Sequence, residues 1–196
     1  MTKKEIEQLN QTLSIIIGTP LQNLTRSGAM LIFDFGEVME VNSFMFGENG
    51  GLIRNENGKP IPTKRMRGRY ILTSLCSMRF SCGNDVIFAS SDMFLPTEEL
   101  AYNDDFDWNT FNWQVHGNSL FDELKTKHFR GEFNEYIVKS VKVGKFGDLM
   151  ITFENNFVLE FFADGSSYSE NWRFGEINSS DSLVVSSKGM INEDMI

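Results

Sequence analysis

The strongest constraint on this chain is a succession of short β-forming runs separated by turn residues. GAMLIFDF (28–35), VMEVNSFMF (38–46), RYILTSLCSMRF (69–80) and VIFAS (86–90) occupy the first half, and IVKSVKV (137–143), DLMITF (148–153) and FVLEFF (157–162) the second. Branched and aromatic side chains suit a pleated, half-buried surface, so each run reads as a strand. Gly36-Glu37, Asn57-Gly58, residues 82–85, residues 145–147 and Asn155-Asn156 read as the turns between them. Strands joined by turns this short pair antiparallel, because a parallel return needs a crossover of a dozen residues or more.

Two segments break the pattern. Thr2 and Glu5 stand at capping-box spacing, and Ile6, Leu9, Leu13 and Ile16 then recur at helical period before Gly18-Thr19-Pro20. Residues 119–129 predict a second helix, with Leu120, Phe121, Leu124 and His128 on one side. The expected fold is therefore α+β: a mainly antiparallel sheet, sandwich or partial barrel, covered by the N-terminal helix and the second helix. A chain of 196 residues with 18 Phe and 10 Met can bury such a core within a single domain, 1–196.

The two ends resemble each other. Gly28-Ala-Met-Leu-Ile matches Gly147-Asp-Leu-Met-Ile, and Tyr70-Ile-Leu matches Phe157-Val-Leu. Arg79-Phe80 matches Arg173-Phe174, and the run from Val86 to Met93 matches that from Leu183 to Met190. The blocks fall in the same order, which suggests two related β-meanders over 28–93 and 147–190 and predicts a strand near 183–187.

Charge narrows the function. With 18 basic and 27 acidic residues the net charge is −9, a field that repels phosphate backbones and disfavours nucleic-acid binding. No apolar run is long enough to span a bilayer, and the start, MTKKEIEQLN, is a poor signal peptide, so a cytoplasmic location is expected. Two stretches contrast. Arg54, Lys59, Lys64, Arg65, Arg67 and Arg69 form a basic one broken only by Glu56. Residues 97–113 carry only acidic charges, interleaved with Tyr102, Phe106, Trp108, Phe111 and Trp113. Aromatic anchors with steering carboxylates suit a protein-binding surface for a basic partner, and Asp104, Asp105, Asp107, Trp108 and Trp113 are the residues to test. The alternative is a long loop pinned to the core by its own aromatics.

No catalytic constellation stands out. Cys76, Cys82, His116 and His128 lack the paired-ligand spacing of zinc modules, and no phosphate-cradling glycine loop, serine elbow or dinucleotide fingerprint occurs. No metal or cofactor is expected. The run Glu98, Glu99, Asp104, Asp105, Asp107 reads as a solvated loop, although a cleft joining carboxylates to His116 would revive a hydrolase. Arg79 and Arg173, at matching places in the two ends, are candidates for an anionic ligand in a Phe-lined cavity, with local ion pairs as the competing role.

Arg79-Phe80 followed by VIFASSDMF, and Glu170-Asn-Trp172-Arg173-Phe174 after a β-meander, resemble small uncharacterised bacterial α+β proteins. The resemblance is patchy, covers about half the chain, and departs at Met78, where the first motif lacks a Trp. Some proteins of this kind are similar to immunity proteins of bacterial toxin systems, which neutralise a partner by binding it. The resemblance thus implies a non-enzymatic binding protein. Small-molecule binding is the alternative, a hydrolase comes third, and a homo-oligomer remains open.

Overall fold

Thr2 closes the first helix as its spacing predicts. Its hydroxyl accepts the Glu5 N–H at 3.2 Å, and the Glu5 carboxylate accepts the Thr2 N–H at 2.7 Å. Helix α1 (Lys3–Leu13) runs into a 3₁₀ turn (Ser14–Ile16) and buries Leu9, Leu13 and Ile16 completely. The computed structural model describes residues 1–47, 51–130, 133–179 and 181–191.

The strands are β1 (Leu21–Ser27), β2 (Met30–Phe44), β3 (Pro62–Ser74), β4 (Ser77–Cys82) and β5 (Asp85–Ala89) in the first half. Then come a 3₁₀ turn (Ser90–Phe94), a single helical turn α2 (Glu98–Ala101) and helix α3 (Leu120–Phe129), with Ser119 as its N-cap. The second half supplies β6 (Val138–Val143), β7 (Leu149–Phe153), β8 (Phe157–Phe162), β9 (Trp172–Glu176), β10 (Ser182–Ser186) and β11 (Gly189–Ile191). All pairings are antiparallel, in two sheets that do not close into a barrel: β1-β2-β3-β9-β10-β11 and β5-β4-β8-β7-β6. The fold is α+β and mainly antiparallel.

Each sheet is built from both halves. The meander β1-β2-β3 continues into β9-β10, and the meander β6-β7-β8 continues into β4-β5. The registers correspond as well: Leu72 faces Phe174 between β3 and β9, and Leu159 faces Phe80 between β8 and β4. One irregularity recurs, between Leu21 and Asn23 in β1 and between Val138 and Ser140 in β6, whereas those at Phe35/Val38 and Phe80/Ser81 have no counterpart in the other half. Where the halves meet, Leu21 N–H donates to Tyr136 C=O and Val138 N–H to Thr19 C=O, both at 2.9 Å. The Gly28/Gly147 alignment is one residue out of this register. Leu31 occupies the place of Leu149, since each faces the end of the next strand (Ser74 and Phe161) and each is buried. The Val86/Leu183 match is out by two, because Phe88 faces Phe80 as Leu183 faces Phe174.

Two expected boundaries move. Gly36-Glu37 is a bulge inside one continuous strand, so 28–35 and 38–46 are not a hairpin. Conversely, 69–80 is not one strand: it breaks at Leu75-Cys76, whose N–H groups both donate to the Asn171 carbonyl as the chain changes sheets. Beyond the bulge, β2 and β3 form a long arm, and Gly58 (φ +73) turns the chain near its tip. Between the sheets Phe33 meets Phe161 edge to face, with 5.3 Å between centroids, and Phe80 stacks among Phe88, Phe157 and Phe129. Trp172 is fully buried and donates its indole N–H to the Gly147 carbonyl at 2.7 Å.

Candidate functional site

The acidic-aromatic segment leaves the sandwich after the Ser90–Phe94 turn and returns at the α3 N-cap. Its two ends are stitched together, Thr97 N–H donating to Asn118 C=O and Leu120 N–H to Leu95 C=O. Between them, short-range bonds shape the chain. Asn103 Oδ1 accepts the Asp105 N–H, and Asp107 Oδ1 accepts both the N–H and the side-chain amide of Asn109. Phe106, Trp108 and Phe111 pack as a local cluster with centroids 5.2–5.9 Å apart.

This cluster is not drawn into the main core. Trp108 is 61% exposed and Tyr102 86%, while Asp104, Asp105 and Asp107 are all exposed. Phe94 and Leu95 at the root of the segment are also about half exposed, at 48% and 44%. Trp113 differs from Trp108. It is half-buried with its ring against Phe94, 5.0 Å between centroids, and so belongs to the root of the segment.

What anchors that root is a buried ion pair that sequence reasoning missed. Arg26 points inward from β1 and binds Asp122 of α3 through two bonds, Nε to Oδ1 at 2.9 Å and an Nη2 bond to Oδ2 at 2.6 Å. The same guanidinium donates to the carbonyls of Trp113 and Val115, at 2.9 and 3.2 Å. Asp122 also accepts from Gly117 N–H and the Ser119 hydroxyl. Burial alone would raise the Asp122 carboxyl, but the Arg26, Gly117 and Ser119 donors outweigh it and hold the group below the usual carboxylate range. Arg26 Nη1 is sealed from solvent with no hydrogen-bond partner, so the arginine depends on Asp122 for its compensation.

The basic stretch lies on the arm and on β3 and does not ion-pair with the acidic segment. Among the described residues, Lys64 pairs with Glu40, Arg67 with Asp34 and Arg69 with Glu176, each on a neighbouring strand. Arg54 donates to Gly58 C=O, and Arg65 lies over the Phe46 ring.

Arg79 and Arg173 are placed on different sheets, each beside an inward-pointing Phe. Arg79 binds Glu160 at 2.7 and 2.9 Å and lies over Phe162; Arg173 binds Glu170 at 2.8 and 3.3 Å. They sit on separate sheets with local carboxylate partners, and the Phe80 and Phe174 beside them are buried in a mixed aromatic and aliphatic core.

The cysteines and histidines are likewise dispersed. Burial pushes the Cys76 thiol up to about 11, away from nucleophilic readiness. Tyr136 OH and His128 Nε2 share a hydrogen bond at 2.7 Å within the aromatic core, where burial lowers the imidazole's affinity for a proton. His116 sits on the return of the acidic segment, and burial followed by the Arg26 charge holds its pKa below the ordinary histidine value. Among the described residues no three His, Cys, Asp or Glu side chains cluster as metal ligands, and no helix is long and apolar enough to cross a membrane. No protein-family model, curated protein or solved structure matches the chain.

Proposed function

We propose that this chain is a non-enzymatic binding protein, an immunity-like inhibitor or adaptor that engages a basic protein partner through its acidic-aromatic segment. One observation carries the reading: Trp108 and Tyr102 stand out in solvent beside the exposed carboxylates of Asp104, Asp105 and Asp107. An indole of that size left uncovered is a recurrent anchor of protein interfaces, and a ring of like charge steers an oppositely charged partner toward it. The buried Arg26–Asp122 pair supports the reading, since it holds the root of the segment and lowers the ordering cost of binding. Action would be steric, the segment covering a basic functional surface of the partner. Trp113 contributes by fixing the root against Phe94.

The test is capture of the tagged protein's partner at low and moderate salt, followed by affinity measurements on variants. A stoichiometric basic protein whose retention falls with salt is expected. Trp108→Ala should weaken its binding by tenfold or more, the roughly 2 kcal/mol of an interface anchor. Joint replacement of Asp104, Asp105 and Asp107 by Lys should slow association. Unchanged affinity in both variants would refute the site.

A further inference from the structure

A cleft of about 610 Å³ lies where arm residues Ser43, Phe46 and Arg65 meet the β1–β2 hairpin, with Gln114 and His116 also lining it. Its lining includes Arg65, Arg67, Arg26 and His116; Arg67 is paired with Asp34 and Arg26 with Asp122, so Arg65 supplies the uncompensated charge. Among the described residues no carboxylate lines it.

Arg65 distinguishes this cleft from an ordinary ion-paired surface. Its neighbours Lys64, Arg67 and Arg69 each have a carboxylate partner, and Arg67 is held by two bonds of 2.7 Å to Asp34. Arg65 has no such partner among the described residues. Its guanidinium lies 4.8 Å from the Phe46 ring centroid, also at the cleft. Stacking on an aromatic face orients a guanidinium while leaving its N–H edge able to donate, the geometry that suits a planar or tetrahedral oxyanion. Thr25, Ser43 and Gln114 add neutral donors and acceptors, and Met30 and Ile32 give the cleft an apolar floor. The volume falls in the range of small-molecule sites.

We infer that this cleft binds a small organic anion, its oxyanion group on Arg65 and its apolar body against Met30, Ile32 and Phe46. Phosphate monoesters and carboxylates share that chemistry. The cleft meets the return of the acidic-aromatic segment at Gln114 and His116 but takes in none of Tyr102, Asp104, Asp105, Asp107 or Trp108, and neither reading requires the other.

The experiment is an NMR titration of the intact chain with phenyl phosphate, benzoate and inorganic phosphate in separate arms. Saturable shifts at the amides of Thr25, Ser43 and Gln114 are expected with at least one of the two aryl anions, and weaker binding with inorganic phosphate. Which aryl anion binds tighter identifies the oxyanion. Arg65→Ala should weaken binding by about tenfold or more, as expected for loss of a charge-assisted bond. Arg65→Lys should recover part of it, and Arg54→Ala near the arm tip should change nothing. Unaltered amide spectra far from the cleft show that each variant is folded. No saturable shift with any of the three probes would overturn the assignment, as would an Arg65→Ala protein that binds as tightly as the parent.

Discussion

Arg26 has a side chain with no solvent exposure and, among the described residues, an unpartnered Nη1 and a single carboxylate, Asp122, to balance it. Removing one member of such a pair strands a charge in a dry site, which costs far more than the pair itself contributes. Asp122→Ala should destabilise the protein by about 3–5 kcal/mol, read as a fall in denaturant midpoint. The paired replacement Arg26→Met with Asp122→Leu should cost clearly less. The pH sense follows from the same geometry. The folded carboxyl is held below its ordinary value of 3.8, so its stabilisation is full above that pH and is lost as pH falls through the depressed folded pKa. Asp122→Asn should therefore flatten the acid limb of the stability curve, and a limb as steep as the parent's would show that other carboxylates govern it. The pair was not legible in the sequence, because its partners lie 96 residues apart and the Ser119–Asp122 spacing marks a helix start without naming Arg26. The Thr2–Glu5 cap was legible because its donors and acceptors are three residues apart. Tyr102 and Trp108 were legible as candidates by type, but only packing separates the exposed Trp108 from the half-buried Trp113.

The arm depends on the bulge where β2 and β3 pass from the sandwich. There Gly36 has φ +83, and a Cβ on Gly68 would lie 2.7 Å from both the N and the O of Phe35. Those are backbone atoms in a paired strand and cannot step aside as a flexible side chain would. Gly68→Ala should thus cost roughly 1–3 kcal/mol, the usual range for overpacking. It should also disturb the amide signals of the arm more than those of β6–β8. Equal perturbation of both regions, or none, would show that the close approach does not set the arm's position. A glycine with positive φ serves a hairpin turn and a bulge equally well, so Gly36-Glu37 suggested a hairpin. What decides is whether the following residues keep the same partner, and here Val38 to Phe44 continue along β3. The break at Leu75-Cys76 was hidden for a similar reason: an apolar run can change sheets without changing its pattern, and the Asn171 carbonyl that receives it comes from far along the chain.

At the scale of the whole molecule, each half completes the other's sheet. Among the described residues, the β4-β5 hairpin has β8 as its one neighbouring strand beyond itself, and β9-β10 is joined to the first meander through β3 alone. Interchanging the halves leaves the strand order β1-β2-β3-β9-β10 against β6-β7-β8-β4-β5 unchanged, and the departures from it include the arm, β11 beside β10, the irregularity between Phe80 and Ser81, and the segment between the Ser90–Phe94 turn and α3. Where β2 and β3 extend into the arm, β7 and β8 are joined by the short turn after Phe153. The acidic-aromatic segment lies on one of these departures, and the cleft lies where another, the arm, meets β1 and β2. The arrangement also makes a prediction about folding. A cut in the exposed segment near Asn103 leaves each fragment with a meander whose outer partner is gone and a hairpin with no sheet to join. An isolated hairpin is marginal in water, and the inner faces, rich in Phe, would stand exposed. Fragments 1–103 and 104–196 should each lack a cooperative thermal transition when expressed alone. Mixed, they should associate one to one and recover the β signal, and the intact protein nicked near Asn103 by limited proteolysis should stay together until denatured. A cooperative transition in either fragment by itself would mean that one sheet does not need both halves, and the reciprocal exchange of strands would then be ornament on a fold that one half already specifies.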